Sequence, residues 1–149
     1  MPTTIIGLCG SLRRGSFNRM LLRAAAETAP PGTSIEPESI RDIPLYDGDL
    51  EEEQGIPSAV QRLKDRIAEA DGLLIVTPEY NHSMPGVLKN AIDWLSRPAD
   101  DVLRVFGGRP VAIMGDAWAG WNRVIAGGLA GYRADARYAA VVRRPSADI

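Results

Sequence analysis

The sequence has 149 residues, of which 45% are hydrophobic and 24% charged, and its formal net charge is −2 at pH 7. This length and composition are typical of a single globular domain spanning residues 1–149, which needs no metal or disulfide to fold. The slightly acidic balance excludes the basic surface that nucleic-acid binding requires, and no apolar run reaches the roughly 20 residues of a membrane span. We therefore expect a cytoplasmic protein with no nucleic-acid or membrane partner.

The first third of the chain alternates between strand patterns and a helix pattern. A β-branched run over residues 3–6 predicts the first strand, and apolar residues at helical spacing predict a helix over residues 17–28. A weak alternation over residues 33–40 predicts a second strand, which Pro37 places near a sheet edge. Residues 41–55 are interpreted as a long polar connection whose acidic run is a solvated face rather than a metal site.

The remainder continues the alternation until residue 115 and then weakens. The predicted elements are a helix over residues 57–71, a strand over 72–77, a helix over 87–96, a strand over 111–115 and a last strand over 138–142. Residues 72–77 are apolar without alternation, as in a central parallel strand covered on both faces. This order predicts an α/β fold, a doubly wound five-stranded parallel sheet, with an atypical segment after about residue 116.

The loop Gly10-Ser-Leu-Arg-Arg-Gly-Ser-Phe-Asn18 joins the first strand to the first helix, a position where backbone N–H groups and the helix dipole favour anions. Four side chains of the loop can donate hydrogen bonds to phosphate oxygens. They are the hydroxyls of Ser11 and Ser16, the amide of Asn18 and the guanidinium of Arg13. The loop lacks the lysine of a triphosphate-binding loop and the dinucleotide glycine pattern, so it favours a single terminal phosphate. The alternative is an ordinary turn with a Ser or Asn N-cap and solvated arginines.

A second loop, Pro78-Glu-Tyr-Asn81, follows the central predicted strand. Its aromatic residue, Tyr80, could border a flat ring, and its backbone groups could address the edge of a heterocycle. The alternative is an ordinary turn, in which Asn81 is a turn-forming residue and Tyr80 a packing residue. We interpret His82, the single histidine, as a loop residue without catalytic duty.

These two loops, together with Pro85-Gly-Val-Leu-Lys-Asn-Ala-Ile-Asp-Trp94, resemble the NADPH-dependent FMN reductase family, a flavodoxin-like group of quinone, chromate and azo-dye reductases. The resemblance implies that the first loop binds the phosphate of FMN through Ser11, Arg13, Ser16 and Asn18, with Phe17 lining it. It also implies that the isoalloxazine ring meets Pro78, Glu79, Tyr80 and Asn81, with Asp116 and Ala117 on a third loop. The chain departs from the family after Gly115, where Asp116-Ala-Trp-Ala-Gly-Trp121 replaces a loop of small residues.

The resemblance further implies an NAD(P)H-dependent FMN/quinone reductase. NADPH or NADH would reduce bound FMN, and two electrons would pass to a quinone-like or other small-molecule acceptor. The flavin would carry the chemistry, so we expect neither a catalytic side chain nor a metal. A homodimer or dimer of dimers is expected, with the helix that ends near Trp94 serving as core and dimer contact. The alternatives are a flavodoxin-type electron carrier and a degenerate member with weak or no flavin binding.

Overall fold

The computed structural model describes residues 1–115, which form a parallel sheet covered by helices. Its strands are β1 (Thr3–Cys9), β2 (Thr33–Glu38), β3 (Gly72–Val76) and β4 (Val111–Met114). They are ordered β2-β1-β3-β4, and every neighbouring pair is parallel. The predicted parallel α/β architecture is therefore confirmed with four described strands, in the order found in flavodoxin-like folds. The predicted fifth strand, residues 138–142, lies outside the described residues.

Five helices connect or follow these strands. They are α1 (Phe17–Glu27), α2 (Gly48–Gln54), α3 (Ser58–Glu69), α4 (Gly86–Leu95) and α5 (Val102–Phe106), the last preceded by a 3₁₀ turn (Ala99–Asp101). The three longest, α1, α3 and α4, form where helical spacing of apolar residues predicts them. The side chain of Ser16 caps α1 by accepting the Arg19 N–H at 3.3 Å. Pro57 and Pro85 directly precede α3 and α4.

Apolar side chains of the sheet are buried on both of its faces. On β3, Leu73 and Ile75 belong to one core cluster, whereas Leu74 and Val76 belong to a second. The first cluster also takes side chains from α3, α4 and α5, and the second takes Leu22 of α1. This burial of consecutive residues explains why β3 is apolar without alternation, and it confirms that β3 is a central strand.

Residues 41–55, interpreted from the sequence as a long polar connection, contain a helix that the sequence analysis does not predict, α2. The Asp47 side chain caps the first turn of this helix. Further along, the carboxylate of Glu51 accepts the Tyr46 hydroxyl at 2.9 Å and pairs with the Arg97 guanidinium at 2.9 Å. The acidic run is therefore only partly a solvated face, since Glu51 attaches α2 to the end of α4.

Lys64 of α3 is a charged residue that lies in the protein interior. Its side chain is 0% exposed, and its ammonium lies 2.7 Å from the Asp101 carboxylate. The same ammonium donates to the backbone carbonyl of Arg97. Asp101 also accepts two hydrogen bonds from the Arg104 guanidinium, at 2.7 and 3.0 Å. A buried charge with two such partners ties α3 to the segment between α4 and α5.

This network makes stability sensitive to acid. The hydrogen bonds from Arg104, and then from Lys64, hold the pKa of Asp101 well below its ordinary value, and the Arg97 hydrogen bond lowers that of Glu51. A carboxyl whose pKa is depressed by folding contributes stability above its unfolded pKa of about 4, and this is lost as the pH falls through the folded pKa. We expect urea unfolding midpoints to decline below about pH 5, and to decline less steeply in Asp101→Asn. Equal slopes in both proteins would contradict the assignment.

Candidate functional site

The two loops singled out in the sequence leave neighbouring strands at the same edge of the sheet. Residues 10–16, the first loop, follow β1, and residues 77–85, the second loop, follow β3, with Cys9 and Val76 as register partners. The chain extends from β1 to β2 on one side and to β3 and β4 on the other. The loops therefore lie at the topological switch point, where parallel α/β sheets bind their ligands.

The bases of the two loops are in direct contact. The Gly10 N–H donates to the Val76 carbonyl at 2.8 Å. A Cβ at Gly10 would lie 2.2 Å from Oγ1 of Thr77, a residue that is itself fully buried. Only glycine allows this approach, so the absence of a side chain at Gly10 sets the spacing between the loops.

The first loop concentrates buried hydrogen-bonding side chains at the N-terminus of the 11-residue helix α1. Ser11, Ser16 and Asn18 are all buried. The Ser11 hydroxyl accepts the Arg13 N–H at 3.4 Å, and the Ser16 hydroxyl accepts the N–H of Arg19. A hydroxyl that accepts an N–H still has its own proton to donate. With the helix dipole and the exposed side chain of Arg13, this donor set has the chemistry of an anion site.

Cys9 packs beneath the first loop. Its thiol donates to the Ser11 carbonyl at 3.5 Å, and Sγ lies 4.0 Å from Oγ of Ser16. The side chain is half-buried and packs against the Leu74 and Val76 cluster. Cys9 therefore acts as a small packing residue of this cluster.

Arg41, which sequence reasoning does not single out, contacts the first loop from outside. Its guanidinium Nη2 donates to the Leu12 carbonyl at 2.6 Å. The side chain is exposed, and the sequence gives no signal for the contact because a lone arginine in a polar connection has no pattern. Thr77 is a second residue that sequence reasoning misses, although a polar residue directly after an apolar strand is a usable signal.

The second loop contains a tight hairpin. The Tyr80 N–H donates to the Ser83 carbonyl at 2.9 Å, and the Ser83 N–H donates back to the Tyr80 carbonyl at 3.0 Å. Between them Asn81 and His82 have φ angles of 51° and 60°, the left-handed values found at both central positions of type I′ turns. The Tyr80 N–H is thus committed within the hairpin, while its ring is 53% exposed beside the sheet edge.

His82 lies at the tip of this hairpin. Its side chain is 97% exposed, and Nδ1 is 3.7 Å from the carboxylate of Glu79, whose side chain is 18% exposed. The arrangement supports the interpretation of His82 as a loop residue.

Helix α4 supports the segment before α2. Its Asn90 amide and Trp94 indole both donate to the Pro44 carbonyl, at 2.8 and 2.9 Å. The Trp94 ring is fully buried and packs edge-on against Tyr46, with the ring centroids 5.0 Å apart. Trp94 is thus a core residue, as expected.

Nine of the predicted cofactor-binding residues fall within the described chain. The structure places Ser11, Arg13, Ser16, Phe17 and Asn18 at the first loop and the start of α1, and Pro78, Glu79, Tyr80 and Asn81 at the second loop. The ring of Phe17 is 55% exposed at the helix start. Asp116 and Ala117 lie outside the described residues. The roles of all these residues toward a flavin stay predictions.

Residues 1–115 lack two kinds of feature. No group of three or more His, Cys, Asp or Glu side chains there could hold a metal ion. No helix in the same range combines the length and apolar character needed to cross a bilayer.

The strand order and the paired loops at the switch point define a flavodoxin-like α/β protein. A family model described as NADPH-dependent FMN reductase matches residues 3–130, and the chain belongs to that family. The quinone reductase of Escherichia coli strain K12 is 52% identical over 110 residues, which cover 73% of this chain and 57% of that protein. The NAD(P)H-dependent FMN reductase of Pseudomonas aeruginosa is 51% identical over 111 residues, covering 74% and 58% respectively.

A solved structure of similar fold is a flavoenzyme NAD(P)H:(acceptor) oxidoreductase from Paracoccus denitrificans. It superimposes with a TM-score of 0.76 at 32% identity, covering 98% of this chain and 77% of the other. The aligned part of the chain spans somewhat over half the length of the curated relatives it matches.

Proposed function

We propose that the protein is an FMN-dependent NAD(P)H oxidoreductase that passes two electrons to a quinone-like or other small acceptor. One observation carries the proposal: two loops with complementary chemistry meet at Gly10 and Thr77, at the switch point of the sheet. The relatives named quinone reductase and FMN reductase, at about half sequence identity, support the same activity.

The hydrogen-bond donors of the first loop fit a single terminal phosphate group such as that of FMN. The hydroxyls of Ser11 and Ser16 are buried at a helix N-terminus, and Arg13 adds a guanidinium that can bind phosphate oxygens in a bidentate manner. Asn18, buried in the first helical turn, lies beside them. These residues would hold the phosphate, and Phe17 would line the loop.

The second loop fits a flat aromatic group. The hairpin hydrogen bonds restrain the Tyr80 backbone, so its exposed side chain projects from a fixed main-chain position. Pro78, Glu79 and Asn81 flank that ring along the chain and would meet the isoalloxazine. Asp116 and Ala117 are proposed as the third side of the same site.

When bound, FMN supplies hydride acceptance from NAD(P)H and two-electron donation to the acceptor. The protein's part is to anchor the phosphate with the first loop and orient the ring with the second. Catalysis then comes mainly from positioning, and no side chain has to act as a general acid or base.

The proposal is tested by titrating the full 149-residue chain with FMN while following flavin fluorescence and thermal unfolding. Ligand at a hundredfold excess over its Kd should stabilise the fold by about 2.7 kcal/mol, because FMN binds the folded state only. The loaded protein should oxidise NADPH or NADH when a benzoquinone is added. A colourless protein whose melting temperature does not respond to FMN would favour the degenerate, flavin-free alternative.

A flavodoxin-type electron carrier is the second candidate function, favoured by the strand order alone. The carrier would bind FMN but consume no NAD(P)H with a quinone unless a partner reductase were present. Acceptor-dependent NAD(P)H oxidation by the purified protein alone would exclude it.

We also propose that the chain forms a homodimer or dimer of dimers. The support is the family resemblance and the exposed outer side of α4, which carries Val87. Sedimentation equilibrium at several concentrations would test the assembly. The cytoplasmic location likewise stays a prediction.

A further inference from the structure

Arg41 holds a single peptide group of the first loop. Its guanidinium Nη2 donates to the Leu12 carbonyl across 2.6 Å, a short, charge-assisted hydrogen bond between parts of the chain 29 residues apart. The contact lies on the solvent side of the loop, where the Arg41 side chain is exposed. It is therefore an external restraint on a loop that otherwise has exposed residues at its tip.

This restraint determines where the next N–H group points. In a trans peptide the C=O and N–H bonds point in opposite directions within one plane. Because the Leu12 carbonyl is turned toward Arg41, the Arg13 N–H is turned away from it, and that N–H donates to the Ser11 hydroxyl at 3.4 Å. The same orientation removes the negative end of one carbonyl dipole from the anion side of the loop.

The backbone around Arg41 is held in place by its neighbours. Ile40, directly before it, is a buried member of the main core cluster, and Ile43 packs against that cluster. The Arg41 N–H donates to the Ser39 hydroxyl at 3.1 Å, which closes a local turn. Leu12 also packs against the same cluster, so both ends of the restraint are anchored in one core.

We propose that Arg41 is a positioning residue for the phosphate of the cofactor: by holding the Leu12 carbonyl outward, it keeps the first loop in its anion-binding conformation. This inference rests on the proposed function, since FMN phosphate is the anion concerned. The proposal assigns a role to Arg41, which lies outside the loop sequence, shortly after β2.

The test compares FMN with riboflavin, which has the same ring and no phosphate. Kd values for both ligands are measured by flavin fluorescence on the wild-type chain and on Arg41→Ala, Arg41→Lys and Arg62→Ala. Arg41→Ala should weaken FMN binding about tenfold and leave riboflavin binding unchanged, because only the phosphate subsite loses its order. Arg41→Lys should restore part of the loss. Arg62→Ala removes an exposed arginine of α3, matching the charge change, and should alter neither Kd.

The salt dependence separates positioning from a direct ion pair. A positioning role predicts that the FMN Kd ratio of Arg41→Ala to wild type stays constant between 50 mM and 500 mM KCl, because Arg41 contacts a neutral carbonyl and salt screens that hydrogen bond far less than an ion pair with phosphate. A ratio that collapses with salt would assign Arg41 to direct phosphate contact and overturn the proposal. Equal loss of FMN and riboflavin, or no loss of either, would also overturn it. Failure of the wild type to bind FMN would instead reject the proposed function.

Discussion

Replacing Gly10 by alanine is expected to lower the free energy of unfolding by about 1–3 kcal/mol, as overpacking of a closed core does. The added Cβ would meet Thr77 at 2.2 Å from Oγ1 and 2.7 Å from Cβ, and it would also press on Leu88. Thr77 cannot yield easily, because it is fully buried and its hydroxyl donates to the Pro78 carbonyl at 3.0 Å. The loops would have to separate, so FMN binding should weaken together with stability. Urea unfolding and FMN titration of the same preparation measure both effects.

The matched control is Gly15→Ala in the same loop. A Cβ at Gly15 has nothing within 4 Å, so alanine fits there without displacing its surroundings. We expect its unfolding midpoint to lie close to that of the wild type. If Gly10→Ala were as stable as Gly15→Ala, the direct contact between the two loop bases would be refuted.

The second large effect is expected from Asp101→Asn, which should cost about 3 kcal/mol, at the low end for removing one partner of a buried ion pair. Lys64 would keep its charge with no exposure to water and would retain only the neutral amide and the Arg97 carbonyl. Arg104 would lose one of its two carboxylate partners at the same time and keep Asp65 at 3.0 Å. Chemical denaturation at pH 7 measures the loss.

Two further variants identify its cause. Asp100→Asn changes the same charge one residue earlier, at an exposed position, and should be nearly neutral. Lys64→Met should be better tolerated than Asp101→Asn, because an apolar side chain of similar length can occupy the site without a buried charge. If Asp100→Asn and Asp101→Asn were equally destabilising, the loss would come from net charge rather than from the buried pair.

The sequence predicts the strands and long helices because their apolar spacing is local. Residues 72–77 differ from the observed β3 by one residue at one end, and α1 begins at Phe17 as predicted. The weak strand signal with Pro37 corresponds to β2, which pairs only with β1 among the described strands. These elements are set by side-chain periodicity, which a single sequence displays directly.

The features that the sequence does not reveal depend on partners distant in the chain. Lys64 shares the buried face of α3 with Leu63 and Ile67. Only Asp101, which the fold brings close, makes the burial of its charge tolerable. Helix α2 has an acidic sequence with little apolar surface, so its attachment depends on Arg97 at the end of another helix. Such pairs cannot be recognised from spacing.

The candidate site shows the same division. Ser11, Ser16 and Asn18 lie within one short segment, and their grouping follows from the loop sequence itself. The neighbouring position of the second loop follows from the pairing of β1 with β3. The sequence predicts the parallel sheet but not that pairing. The Arg41 contact and the fit of Gly10 against Thr77 are set by atomic packing, which no residue pattern encodes.

The hairpin of the second loop restricts how this protein can vary. With left-handed backbone at both Asn81 and His82, β-branched residues are strongly disfavoured there, and the tolerated residue types narrow toward asparagine, aspartate, histidine and glycine. Tyr80 and Ser83 carry no such restriction, because their pairing uses only main-chain groups. In a saturation mutagenesis library, new acceptor preferences should therefore arise at positions 80 and 83, whereas positions 81 and 82 should hold only residue types that tolerate a left-handed backbone among the folded clones.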